Sequence, residues 1–320
     1  MKIINYKLKS DKFNSGRLGI LIDNKILDPN YSFELNFSKT YSNPRERAQD
    51  YCPPSLHKIL KYKNNAFEIL KEALSLPEED KYFLEFSTKN IKLECPLDKI
   101  ETYRDFYAHE KHVQVGFKKR NEEIPPAWYE IPAYYKGATT GFIGHEDNIP
   151  WPSYTDVLDY ELELGMIIGR DGKNIKSKDA LQYIFGFTIL NDISARDIQK
   201  KEMSIRLGPA KGKDFCTILG PVIITFDEFN FTEPNLLMTA KINGVEWSRG
   251  QSGDSHYTWS QMIEHVSKDE WIVAGDLFGS GTVGTGCGLE LDKWIKSGDL
   301  IELEIEKIGK LSNIVGTKNK

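Results

Sequence analysis

Three short stretches of the chain carry residue types that could do chemistry. In DYELELGMIIG, Glu161 and Glu163 stand two residues apart within an alternating apolar run. The two-residue period of a strand puts both carboxylates on one face, roughly 6.5 Å apart along the backbone, and the leucines on the other. Convergent carboxylates repel unless a cation sits between them, and such oxygen donors suit Mg2+, Mn2+ or Ca2+ better than zinc. The same alternation also describes a strand with one solvated face. In GFTILNDISARDIQK, Asp192 falls where an apolar run gives way to a polar, helical segment, and strand ends commonly present functional groups. Ser194 and Asp197 also fit an S-x-x-D capping box, which would leave Asp192 bracing a turn. Arg196 and Gln199 follow at a spacing that a helix turns toward one side.

The third stretch is Asp105-Phe-Tyr107-Ala-His109-Glu-Lys-His112. Its two histidines could share a helix face, yet HEKH is not the HExxH of metalloproteases and no cysteine or histidine cluster supplies further zinc ligands. One histidine acting as general base beside an oxygen-bound metal is more economical, because its ordinary pKa lies near working pH. Histidines on a wetted surface helix are the alternative. Further on, Gly279-Ser-Gly281-Thr282-Val-Gly284 matches the GxGxxG string of dinucleotide-binding folds. The TGCGLEL that follows reads as a strand rather than a helix, and too little chain remains for a nucleotide domain. These glycines instead suit tight turns or close approach of backbone amides to a ligand.

The elements that must hold these residues are mostly strands. Residues Met1 to about Asp28 alternate apolar runs with turn residues, Ser15-Gly16 among them, and read as two or three strands. A polar and aromatic loop is expected from Pro29 to Pro54, then two short helices in SLHKILKYK and AFEILKEALSL. YRDFYAHEKHVQVGFKKR reads as helical from its start, and the aromatic, proline-rich IPPAWYEIPAYYKG as a long loop. Beyond Trp151, short strands predominate (DYELELGMIIG, YIFGFTILND, FCTILGPVIIT, LLMTAKING, DLFGSGTVG, CGLELDKWI, LIELEIEKIG), with one helix in TWSQMIEHVSK. This pattern predicts an α+β, β-dominated protein whose second part is a β-roll or barrel, with a boundary near Leu97.

At 320 residues, the chain is long enough for a catalytic domain plus an accessory one. Its net charge of −5, from 42 basic and 47 acidic residues interspersed, gives no footprint for a phosphate backbone or an anionic membrane. Cys52, Cys95, Cys216 and Cys287 show neither CxxC nor zinc-ligand spacing, so free thiols in a reducing compartment are expected. No apolar stretch of membrane-spanning length occurs, and a cytoplasmic location is the default expectation.

Taken together and in order, four blocks resemble the fumarylacetoacetate hydrolase family: DYELELGMIIG, LNDISARDIQKKE, LGPAKGKDF and GSGTVGTGCGLEL, within a span from about Tyr103 to Val315. The resemblance implies a mixed β-roll catalytic domain over 98–320, preceded by a small β-rich accessory domain over 1–97. It implies a divalent metal, Mg2+ or Mn2+, held by Asp105, Glu161, Glu163 and Asp192. It makes His112 the catalytic base, oriented by Glu290, and places Arg196, Gln199 and Lys213 around the reacting carbonyl. Tyr107, Arg120, Tyr135 and Thr282 are the implied substrate-facing positions. The implied protein is a homodimer acting on a small oxo acid, cleaving a carbon–carbon bond in a 1,3-dioxo acid of the acylpyruvate or fumarylacetoacetate type. Other branches decarboxylate, isomerise or hydrate related oxo acids. A catalytically silent metal-binding relative is the reading from another class, against which the joint retention of His112, Glu290 and Lys213 argues.

Overall fold

The computed structural model describes residues 1–10, 16–63 and 65–318, so the expected turn at Ser15 lies outside the described residues. Its frame is a twelve-stranded sheet. From one edge the order runs Phe83–Glu85, Lys25–Leu27, Arg17–Ile22, Lys2–Leu8, Thr217–Thr225, Ile184–Asp192, Leu162–Ile168, Leu277–Gly279, Tyr103–Phe106 and Tyr134–Gly137. Two further strands, Ile91–Leu93 and Phe142–Ile143, join from the side. A second sheet of five strands runs Val245–Gln251, Leu237–Ile242, Leu300–Ile305, Gly309–Lys318 and Asn148–Trp151. One apolar cluster joins the two sheets, packing Leu164, Met166, Ile189 and Ile218 with Met238, Ala240, Leu303 and Ile305. The protein is thus α+β and strand-dominated, as the sequence predicts.

The central strands read as long apolar runs because they are covered on both faces. All seven residues of Leu162–Ile168 and all nine of Ile184–Asp192 are buried. Helices take the periphery: Leu56–Tyr62 and Ala66–Ser75 form where their apolar spacing predicts, as does Trp259–Ser267, whose capping box joins Thr258 and Gln261. Among the described residues no helix is long and apolar enough to cross a membrane. All four cysteines are free.

Several expectations need correction. The loop expected over 29–54 contains two helices, Pro29–Ser38 and Pro44–Tyr51. Each starts with proline, whose fixed φ suits the first helical turn, and the Asp28 side chain caps the first by accepting from the Tyr31 N–H at 2.9 Å. Phe33, Phe37 and Tyr51 then pack edge and face against one another, with Phe33 fully buried, while Tyr31 and Tyr41 stay exposed. The first 97 residues, expected to be β-rich, therefore hold more helix than strand: helices of 10, 8, 7 and 10 residues against strands of 7, 6, 3, 3 and 3. The stretch beginning YRDF is a strand, with helix only over Glu110–Lys119. All four residues Tyr103–Phe106 are buried in the sheet, and that burial overrides the helical reading. CGLEL is a short helix over Gly288–Leu291 rather than a strand, because the Asp159 carboxylate accepts from the amides of Gly288 and Leu289 at its start. The Ser194/Asp197 capping box does not form. Ala195 occupies the cap, while Asp197 accepts from the Thr155 hydroxyl and from the amides of Asp156 and Ile198.

Candidate active site

Neighbouring strands of the large sheet bring the acids together. Leu162–Ile168 lies between Ile184–Asp192 and Leu277–Gly279, with Gly165 opposite Gly279. On the far side of Leu277–Gly279, Asp105 is registered with Gly279. Ligand atoms of Asp105, Glu161 and Glu163 lie within 4.8 Å of one another. These residues are only 4%, 5% and 1% exposed, so the face that carries the two glutamates is not a solvated one. Gly279 permits the convergence, since a Cβ there would collide with Asp105 Oδ1 and Glu163 Oε2. Glu163 is fixed by the Gly281 N–H at 3.1 Å and the Thr282 hydroxyl at 3.2 Å, both donating to it. Gly281, at φ +77°, makes the turn that aims its amide inward.

Burial pushes the Asp105 carboxyl well above the usual carboxylate range, and Asp192 adds to the rise. Burial likewise raises Glu163, reinforced by Asp105 and Glu161. Burial works the same way on Glu161, but Lys213, Arg196 and His112 outweigh it and hold that group low. Asp105 Oδ1 has no hydrogen-bond partner among the described residues. An orphaned buried oxygen among mutually repelling carboxylates is what a bound cation would relieve, and an all-oxygen set fits a hard divalent ion.

Asp192 ends the strand Ile184–Asp192 and lies outside the three-acid group. It joins that group through Lys213, whose ammonium is shared between Glu161 and Asp192. The Tyr135 hydroxyl donates to Asp192 Oδ2 at 2.6 Å. Burial alone would discharge Lys213, but Asp192 and Glu161 keep it charged. Arg196, the first residue of helix Arg196–Ser204, donates to Asp159 Oδ2, Glu161 Oε1 and Gln199 Oε1, each at 2.8 or 2.9 Å. The predicted cations Lys213 and Arg196 therefore flank Glu161, and Gln199 joins them through Arg196.

His112 sits in the first turn of helix Glu110–Lys119 and is 6% exposed. Its Nδ1 lies 3.2 Å from Glu290 Oε1, an ion-pair distance, although Oε1 lacks a hydrogen bond in line among the described residues. Tyr107 packs edge-on against the imidazole, with ring centroids 5.4 Å apart. His109 is not grouped with His112 among the described residues that could share an ion, and its buried Nε2 has no hydrogen-bond partner among them. Arg120 stands apart from the acids. It is exposed, lies over the Phe117 ring and pairs with Glu122 at 2.9 Å. Its Nη1 would nevertheless meet a Cβ at Gly116 that also touches the Tyr107 hydroxyl, so it borders the same side of the site.

Two residues here escaped the sequence reading. Asp159 connects Arg196 to the helix that carries Glu290, and Cys287 Sγ lies 4.0 Å from His112 Nδ1. The period-two series Asp159, Glu161, Glu163 could have revealed the first; nothing local marks the second.

Residues 101–316 match the family model described as the fumarylacetoacetate (FAA) hydrolase C-terminal region, well over half the chain. The chain belongs to the fumarylacetoacetate hydrolase family. Its curated relatives include the oxaloacetate tautomerase YisK of Bacillus subtilis (strain 168), 31% identical over 257 residues that cover 77% of this chain and 80% of that protein. A fumarylacetoacetate hydrolase structure from the psychrophile Exiguobacterium antarcticum superposes with a TM-score of 0.73 at 24% identity, covering 99% of both chains. Maleylpyruvate hydrolase from Sphingobium sp. SYK-6, solved with manganese(II) and pyruvate, superposes with a TM-score of 0.71 at 18% identity over all of both chains. At such identities the structural matches speak for the fold alone. Family membership therefore brings an enzyme scaffold on which hydrolases, isomerases and a tautomerase are all found.

Proposed function

We propose that this protein is a divalent-metal-dependent enzyme that hydrolyses a carbon–carbon bond in a small 1,3-dioxo acid of the acylpyruvate or fumarylacetoacetate type. The observation that carries the reading is the His112–Glu290 contact of 3.2 Å beside the buried carboxylates. Asp105, Glu161, Glu163 and Asp192 would hold Mg2+ or Mn2+, which supplies Lewis acidity to the oxygens of a 2-oxo acid. Glu290 faces Nδ1 of His112 and leaves Nε2 to take a proton from water, whose oxygen then attacks the distal carbonyl. Lys213, Arg196 and Gln199 balance the negative charge that develops at that carbonyl. Tyr107, Tyr135, Thr282 and, at the rim, Arg120 shape the space around the substrate.

A second reading is keto–enol tautomerisation of a 2-oxo diacid, favoured by the 31% identity to an oxaloacetate tautomerase. It uses the same metal and the same enolate stabilisation, but moves one proton and breaks no carbon–carbon bond. Decarboxylation, isomerisation and hydration share those first requirements as well.

The deciding experiment follows the absorbance and products of acylpyruvates, fumarylacetoacetate and enol-oxaloacetate after EDTA treatment and again after Mg2+ or Mn2+ is added. Metal-restored cleavage that His112→Ala loses while still binding metal supports hydrolysis. Metal-restored enol decay with the carbon skeleton intact overturns it in favour of the tautomerase reading. We also propose that residues 1–97 act as an accessory unit beside the catalytic residues 98–320.

A further inference from the structure

Cys287 plays no part in the chemistry above, yet it sits against the two residues that supply the base. Its Sγ is 4.0 Å from His112 Nδ1 and 3.8 Å from Glu290 Oε2, and His112 Nδ1 is 3.2 Å from Glu290 Oε1. Zinc bonds of about 2.0–2.3 Å at the tetrahedral angle place ligand atoms roughly 3.3–3.6 Å apart. The observed distances, which reach Glu290 through both of its carboxylate oxygens, lie just below and just above that range, and one ligand atom from each residue falls within 4.8 Å of the others. A second observation points the same way: Glu290 Oε1 is buried without a hydrogen-bond partner among the described residues, in a side chain only 4% exposed.

The donor set differs in kind from the oxygen cluster next to it. Nitrogen, sulfur and oxygen in a tetrahedral arrangement select zinc-like ions, whereas the four acids select hard ones. One member of the trio, Glu290, also borders a cleft. This cleft of about 240 Å³ is lined by Lys111, Arg249, Asp254, Gly284, Thr285 and Glu290. Its two cations are already neutralised, Lys111 by Asp254 at 2.8 Å and Arg249 by Glu246 at 2.7 Å.

We propose that His112, Cys287 and Glu290 form a second metal site, for a borderline-soft divalent ion of the Zn2+ class, and that filling it switches off His112 as a base. On binding, the Cys287 thiol releases its proton to solvent and the thiolate ligates the ion, so one proton leaves per ion bound. An imidazole that ligates through Nδ1 keeps its remaining proton on Nε2, which then has no lone pair to accept one from water. The hard ion on the carboxylates stays in place. Binding at this site stands on geometry alone; the switching rests on the reading of His112 as the base.

The test uses the full-length protein preloaded with excess Mg2+ and titrated with Co2+, whose thiolate complexes absorb in the near ultraviolet. One equivalent of thiolate-to-cobalt absorption is expected in the wild type and its loss in Cys287→Ser, with Cys287→Ala used if the serine variant loses its circular-dichroism signature. Absence of the band from the wild type, or its survival in a folded Cys287 variant, overturns the site. Where acylpyruvate cleavage is present, it should fall in step with the band and return when Zn2+ or Co2+ is chelated. Undiminished cleavage with the band at full height overturns the switch while leaving the site. A protein that shows the band but cleaves none of the substrates refutes the hydrolase reading and with it the switch, while the band upholds the site.

Discussion

At the scale of single residues, Lys213 is the pivot of the site. It is 4% exposed and its ammonium joins Glu161 to Asp192; Glu161 also pairs with Arg196, but Lys213 is the one cation paired with Asp192 among the described residues. Removing one member of a buried ion group leaves the others uncompensated, at a cost of about 3–5 kcal/mol. Lys213→Ala should therefore lower the melting temperature in EDTA, and Mg2+ should recover more of that loss in the variant than it adds to the wild type. Turnover should fall by about two to three powers of ten even with metal present, the usual effect of removing a preorganised donor. A variant that melts and turns over like the wild type would refute the assignment. His109 makes a different prediction. Burial lowers its pKa from 6.5 to about 4, and the neighbouring His112 adds to the effect. The unfolded chain thus takes up a proton between pH 6.5 and 4 that the folded protein refuses. Stability from this group is complete above pH 6.5 and declines as pH falls toward 4, by about 3 kcal/mol in all. Denaturant titrations of wild type and His109→Gln should show the wild type losing stability more steeply across that window; parallel slopes would remove His109 as the cause.

At the scale of elements, the site depends on how closely three strands can lie. Gly279 is opposite both Gly165 and Asp105, and its missing side chain leaves room for Asp105 Oδ1 and Glu163 Oε2. Gly279→Ala should keep the strand pairing, displace both carboxylates and weaken Mg2+ or Mn2+ binding by about 10–100-fold, as other disturbances of ligand orientation do. Calorimetry giving unchanged affinity would mean that these two carboxylates do not ligate together. Geometry of this kind explains what could be read in advance. The pairing of Glu161 with Glu163 is local, because strand period alone settles which face they share. Asp192 at a strand end follows from where the apolar run stops. The contacts of Lys213 with Glu161, and of His112 with Glu290 and Cys287, cross long separations between loop, helix and strand, so only the family resemblance suggested the first two and nothing suggested the third. The helices Pro29–Ser38 and Pro44–Tyr51 were legible in Asp28-Pro29 and Asn43-Pro44, but polar, aromatic composition outweighed those start signals. The strand Tyr103–Phe106 could not be separated from the helix behind it, because its state is decided by the neighbours Leu277–Gly279 and Tyr134–Gly137.

At the scale of the whole molecule, the proposed accessory unit and the catalytic residues are parts of one sheet and one core. Strand Lys2–Leu8 pairs with Thr217–Thr225, with Ile3 opposite Ile223 and Lys2 opposite Ile224. Ile3, Leu18, Ile20, Leu27 and Phe33 from the first segment share a buried cluster with Leu190, Leu219, Ile223 and Leu277 from the second. Each large side chain in such a cluster contributes about 1.5–3 kcal/mol by its burial, as an upper estimate. Without residues 1–97, Thr217–Thr225 would lose its Lys2–Leu8 neighbour and present an apolar strand edge, the usual start of aggregation. The disturbance would reach the site, because Thr217 pairs with Asp192 at the other end of the same strand. A chain of residues 98–320 should therefore aggregate or melt without a cooperative transition, and should bind Mg2+ or Mn2+ more weakly than the full-length protein. Mixing it with separately produced residues 1–97 should restore part of the cooperative melt, since the lost burial is then available again in trans. If residues 98–320 alone are soluble, melt in one sharp step and bind the metal with full-length affinity, the catalytic part carries its own core, and the first segment serves something other than the fold.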